Sequence, residues 1–237
     1  MRCALLHGFA GNPAVWDDVI AAWELDDDPI AIALPGHGGG PVLSTWEDNL
    51  DAVCASIDAE CQVVVGYSLG ARVALGLVAE GRFPFGVLIG VNPGIAEDER
   101  ASRREFDAAW ARLLRDQGIA AFADAWAAQP LFASQARAPA ARRAARLEHR
   151  LALDPEQLAR SLEVMGLAAM PDYWPAIPTH RDRIALICGA DDAKYVAISR
   201  GLPAASFETI PDSGHDPTLE QPVLLARAIA DAVDKLA

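Results

Sequence analysis

The residues that most constrain this chain run from Val63 to Arg72. Gln62-Val63-Val64-Val65 ends in a short, β-branched apolar run, which suits a strand buried on both faces. Gly66-Tyr67-Ser68-Leu69-Gly70 follows at once, and the residues from Ser68 to Ala79 have helical spacing. A strand that turns straight into a helix through Gly-x-Ser-x-Gly needs its glycines because neighbouring backbone comes too close for a side chain. Such a turn strains the serine and projects its hydroxyl at the carboxyl end of a sheet, where the helix aims its first N–H groups. Ser68 is therefore the candidate nucleophile or base.

A serine hydroxyl needs a partner base. Of His7, His37, His149, His180 and His215, only His215 lies late in the chain, between the last strand-like run and the terminal helical stretch. An acid that orients this histidine belongs between it and Ser68, in a loop after a strand. The run Ile184–Cys188 ends in Gly189-Ala190-Asp191-Asp192, which offers two aspartates. Asp192 is the better placed after the glycine, and Asp191 suits a turn cap. Developing negative charge on a substrate oxygen would be held by backbone N–H groups. Leu69, the residue after the serine, is one expected donor. Phe9, in the loop His7-Gly8-Phe9-Ala10-Gly11 after the first strand, is the other. His7 and His37 are read as braces for their own turns.

Strand-like runs at Cys3–Leu6, Ile30–Leu34, Gln62–Val65, Gly86–Val91, Arg183–Cys188 and Ser206–Ile210 alternate with helical stretches such as Thr45–Ala59 and Pro222–Leu236. That alternation implies an α/β fold with a mostly parallel sheet flanked by helices. It stops after Pro93. Residues 94–183 are rich in Ala, Arg, Leu and Glu, with no strand-like run, and are expected to form a helical lid inserted into a core made of residues 1–93 and 184–237. The charge follows the same division. Gly94 to Arg183 holds 13 basic and 13 acidic residues, whereas the remainder holds 7 against 20 and carries the whole net charge of −13. An Arg-rich insert over an acidic body suits either an anionic ligand or a solvated surface of i,i+4 ion pairs.

A net charge of −13 argues against a nucleic-acid partner. No apolar run reaches the roughly 20 residues that span a bilayer, and Met1–Gly8 reads as a strand and turn rather than a leader, so a cytoplasmic protein is expected. Cys3, Cys54, Cys61 and Cys188 form no paired motif, and no HExxH or GxGxxG occurs. No metal, cofactor or membrane partner is expected, and the protein is read as a monomer or homodimer acting on a small anionic molecule.

LLHGFAG with Trp16, then LPGHG, VVGYSLGARVAL, CGADDAKY and SGHDPTLEQP resemble the α/β-hydrolase superfamily over nearly the whole chain. The insert resembles one family within it. Asn92–Ile95, Glu99–Arg103 and above all Trp126-x-x-Gln129-Pro130-x-Phe132-x-Ser134 look like the menaquinone-pathway 2-succinyl-6-hydroxy-2,4-cyclohexadiene-1-carboxylate synthases. That resemblance implies a lyase that takes a proton from a cyclohexene bearing several carboxylates and eliminates pyruvate. It also implies Tyr67, Arg72, Arg103, Trp126 and Arg150 as substrate contacts, with arginine forks on carboxylates. Asp216-Pro217-Thr218 departs from the His-rich sequence that often follows the family's histidine. The alternative on the same fold is a serine hydrolase of small esters, lactones or carbon–carbon bonds.

Overall fold

The computed structural model describes residues 1–237. Six strands, β1 (Arg2–Leu6), β2 (Ile30–Ile32), β3 (Cys61–Tyr67), β4 (Phe85–Ile89), β5 (Ile184–Gly189) and β6 (Ser206–Ile210), form one sheet in the order β2-β1-β3-β4-β5-β6. All five pairings are parallel. The mostly parallel sheet flanked by helices that the sequence implied is therefore present, with no antiparallel pair. The helices are α1 (Asp17–Ile20), α2 (Trp46–Ser56), α3 (Leu69–Ala79), α4 (Glu97–Ala127), α5 (Ala140–Leu151), α6 (Pro155–Met165), α7 (Ile177–His180), α8 (Ala193–Arg200), α9 (Pro217–Glu220) and α10 (Pro222–Leu236).

Successive strand residues point to opposite faces, and the core divides accordingly. Ala4, Leu6, Val64 and Leu186 pack on the side of α2 and α3, while Cys3, Leu5, Val63, Val65 and Ile187 pack against α10. Both faces are covered, which is why the strand sequences are apolar throughout rather than alternating. The chain leaves β1 toward β2 on one side and returns to β3 on the other. That reversal opens a crevice at the carboxyl ends of β1 and β3, where ligands bind in sheets of this kind.

Two strands are shorter than their apolar runs. β2 stops at Ile32 rather than Leu34, because the Leu34 N–H donates to His7 Nε2 at 3.1 Å instead of to a neighbouring strand. β4 ends at Ile89, because Gly90 takes φ 62° and turns the chain away. Between β4 and β5 the chain forms helices and turns only. α4 is broken at Gly118 (φ 77°, ψ −178°), and its two parts close with α6 around Leu114, Phe122, Leu158 and Leu162, a small core separate from the two on the sheet.

Candidate active site

Phe9, Ser68, Asp192 and His215 all lie just beyond the carboxyl ends of strands, from β1, β3, β5 and β6 respectively. Ser68 has φ 53° and ψ −106°, a conformation L-residues rarely adopt. The flanking glycines make it possible. A Cβ on Gly66 would collide with the Gly70 carbonyl, and one on Gly70 with the Leu6 carbonyl. His215 Nε2 stands 3.0 Å from Ser68 Oγ, and His215 Nδ1 stands 2.6 Å from Asp192 Oδ2. The carboxylate can only accept, so Nδ1 carries the proton and Nε2 is left to accept from the serine hydroxyl. Asp192 and His215 are both buried. Asp191 faces outward and pairs with Arg137 instead.

The Phe9 N–H makes no hydrogen bond within the protein. Leu69 opens α3, so no carbonyl lies one turn before it to accept its N–H. β1 and β3 are neighbours, and Phe9, Ser68 and Leu69 line one cavity. His7 and His37 hold the loops that carry them. Leu34 N–H donates to His7 Nε2, and Ala10 N–H donates to His37 Nε2 at 3.1 Å. Burial pushes their pKa values down, to about 3 for His7 and about 4 for His37, and both stay neutral.

A cavity of about 330 Å³ opens beside Ser68 and reaches under the insert. Its lining includes three cationic side chains, Arg72, Arg103 and Lys194, and not one Asp or Glu. Arg72 donates to the Met165 carbonyl at 2.8 Å and meets no carboxylate. Burial, and secondarily the charge of Arg103, pushes its pKa down to about 10. Arg103 Nε lies 3.0 Å from both oxygens of buried Asp107, one helical turn on. Trp126 forms one wall, stacked on Phe122 with 5.2 Å between centroids and edge-on to Phe9 at 5.1 Å.

Tyr67 and Arg150, the other expected substrate contacts, line an adjoining space that shares Phe9, Ser68, Trp126 and Phe132 with the cavity. They border a narrow pocket of about 30 Å³ that also touches Ser68 and Asp216, room for about one water. Arg150 does descend from the insert and is buried, but its one protein partner is the Ala10 carbonyl at 3.4 Å. Burial and the neighbouring Arg146 charge lower its pKa.

A scan against known families matches the alpha/beta hydrolase family over residues 4–228. The chain belongs to that family. It is 34% identical to the 2-succinyl-6-hydroxy-2,4-cyclohexadiene-1-carboxylate synthase of Serratia proteamaculans over 234 residues, covering 93% of this chain and 88% of the relative. The structure of MenH from S. aureus superposes with a TM-score of 0.89 at 27% identity, covering 100% of this chain and 94% of that one. A thermophilic esterase from Thermogutta terrifontis shares the fold, with a TM-score of 0.80 at 23% identity and coverage of 100% and 90%. The protein is an enzyme on the alpha/beta hydrolase fold.

Several groups at this candidate site carry no motif of their own. The Tyr195 ring lies 4.4 Å from the His215 ring and backs it. Ser161 is buried against the cavity, and its hydroxyl has no partner within the protein. Glu220, also buried, accepts from the Gly214 N–H at 2.8 Å and from the Ser134 hydroxyl at 3.0 Å. Asp216 accepts from Arg146 at 2.8 Å and Gln135 at 3.1 Å. Both chain neighbours of His215 are thus tied, through a carboxylate, to the insert. Ser134 and Asp216 were visible as a motif position and a departure. Nothing in the sequence pairs them with partners some 80 residues away.

Proposed function

We propose that this protein eliminates pyruvate from 2-succinyl-5-enolpyruvyl-6-hydroxy-3-cyclohexene-1-carboxylate in menaquinone biosynthesis, with Ser68, His215 and Asp192 acting as a triad. The observation that carries this reading is the cavity lining. In a chain of net charge −13, three cations and no acid line the cavity that runs from Ser68 under the insert. Burying a guanidinium without a counter-ion is costly, so Arg72 fits a site whose anion arrives with the ligand. A neutral ester needs no such site, whereas a substrate with several carboxylates does.

In this reading each step has an agent. His215 takes the Ser68 proton and leaves the Ser68 oxygen basic, while Asp192 stabilises the imidazolium. The Ser68 oxygen removes the proton from the ring carbon beside a carbonyl. The electrons left behind collect on that carbonyl oxygen, where the Phe9 and Leu69 N–H groups hold the enolate. Collapse of the enolate restores the carbonyl, forms a double bond from the deprotonated carbon to its ring neighbour, shifts the ring's existing double bond one position on and breaks the bond to the enolpyruvyl oxygen. The expelled enolpyruvate becomes pyruvate by taking up at carbon the proton that His215 holds. Arg72 and Arg103 fix carboxylates as planar forks, Trp126 covers the apolar ring, and Tyr67 and Arg150 close the far side of Ser68. Residues 94–183 act as the lid that excludes water from this chemistry.

The four cysteines are all free, which supports a cytoplasmic location. No helix is long and apolar enough to cross a membrane. The test is to offer the purified protein the enolpyruvyl cyclohexene and a neutral ester such as p-nitrophenyl acetate. Pyruvate release, with ester turnover slower by orders of magnitude, supports the reading. Efficient ester hydrolysis without pyruvate release removes it in favour of the serine hydrolase.

A further inference from the structure

The chain contains 18 arginines and only two lysines, Lys194 and Lys235. Lys235 sits in the last turn of α10, where a cation favours the helix dipole. Lys194 sits in the first turn of α8, two residues past Asp192, where the same dipole disfavours it. It forms no ion pair and donates no hydrogen bond to the protein, although 33 acidic residues are available. Its nearest aromatic contact is the neighbouring Tyr195, with Nζ 5.7 Å from the ring centroid. Nothing in the local structure accounts for a cation at this position.

Its place in the molecule does. Lys194 lines the cavity beside Ser68 and also the open groove that continues outward past Asn92, Arg103 and Phe106. Arg103 also lines both, but Lys194 is exposed where Arg72 and Arg103 are half-buried, which makes it the outermost of the three cations of the cavity. Arg72 is held deeper, bonded to the Met165 carbonyl, and Arg103 is fixed by Asp107. We propose that Lys194 binds the outermost carboxylate of the substrate, at the mouth of the cavity, and thereby selects for a substrate with a carboxylated side arm. This rests on the polycarboxylate reading of the site and adds a contact to it. The residue type fits the place. A compact, hydrated ammonium on a flexible stem can follow a carboxylate that stays partly in water, whereas the inner positions need the rigid fork.

Because Lys194 is exposed and makes no bond within the protein, its replacement leaves the fold intact. Lys194→Met is expected to raise KM for the enolpyruvyl cyclohexene by about five- to tenfold, the range between an exposed ion pair and a charged hydrogen bond. kcat should stay within about twofold, since the contact holds ground state and transition state alike. Lys194→Arg should recover most of the affinity, and the thermal midpoint should not move in either variant. An unchanged KM in Lys194→Met, or a loss confined to kcat, overturns the proposal while pyruvate release by the unaltered protein leaves the function standing. If the unaltered protein releases no pyruvate, the functional reading fails by itself. The anion site is then decided by calorimetry with benzene-1,3,5-tricarboxylate, an unreactive ring with three carboxylates. Weaker binding by Lys194→Met than by the unaltered protein upholds the assignment, and equal binding overturns it.

Discussion

Ser68 and His215 share one hydrogen bond, so each is of little use to the reaction without the other. Ser68→Ala and His215→Ala should each remove most pyruvate release, and the double variant should lose no more than the worse single one. Steady-state rates of the three variants check this, and losses that multiply would mean the two groups act separately. Arg72 is a different case, because its charge is already present and only its shape is tested. Arg72→Lys keeps a cation but loses the fork. It should lower kcat/KM on the carboxylated substrate by about 1–3 kcal/mol in transition-state terms, with little change on a neutral ester. Equal losses on both substrates would mean that Arg72 supports the shape of the turn at Ser68.

At the level of elements, the strands and the helix after Ser68 were legible because both depend on local pattern. Val63–Val65 is apolar and β-branched, and Gly66 and Gly70 sit where backbone crowds backbone. What the sequence hid is long-range. The break of α4 at Gly118 rests on one glycine that looks like any other in an Ala-rich run. Tyr67 and Arg150 line one pocket beside Ser68 and Arg72 and Arg103 another, a division set by tertiary packing that spacing does not encode. The ties from Ser134, Gln135 and Arg146 to Glu220 and Asp216 join residues 70 to 86 positions apart. Arg146→Ala leaves Asp216 buried with its main counter-charge gone. Urea unfolding should show a loss of about 3 kcal/mol, the low end for a broken buried pair, because Thr218 and the Leu219 N–H still reach that carboxylate. A loss under half of that would mean that the remaining ties, from Ser134, Gln135 and Arg137, hold the insert without Arg146.

For the whole molecule, the two loop histidines set a pH limit. The folded pKa values of His7 and His37, about 3 and about 4, lie below the ordinary value of 6.5. Below pH 6.5 the unfolded chain takes up protons that the native state refuses, so stability falls as pH falls from 6.5 toward 4. Both histidines act in the same direction, and by pH 5 the loss reaches about 4 kcal/mol at most. Glu220, whose pKa burial raises, works the other way. Urea midpoints at pH 7.5 and pH 5 measure the slope, and His37→Gln, which keeps an acceptor for the Ala10 N–H, should flatten it. A midpoint that does not move with pH would mean that these histidines are not buried neutral.

The central claim is that Ser68 takes a proton from carbon rather than attacking a carbonyl. Single-turnover release of pyruvate, followed with substrate carrying deuterium on the ring carbon that loses its proton, tests it most directly. The account predicts slower release from the deuterated substrate and no mass added to the protein at any time point. Equal rates for the two substrates, with a substrate-derived adduct on Ser68, would contradict it.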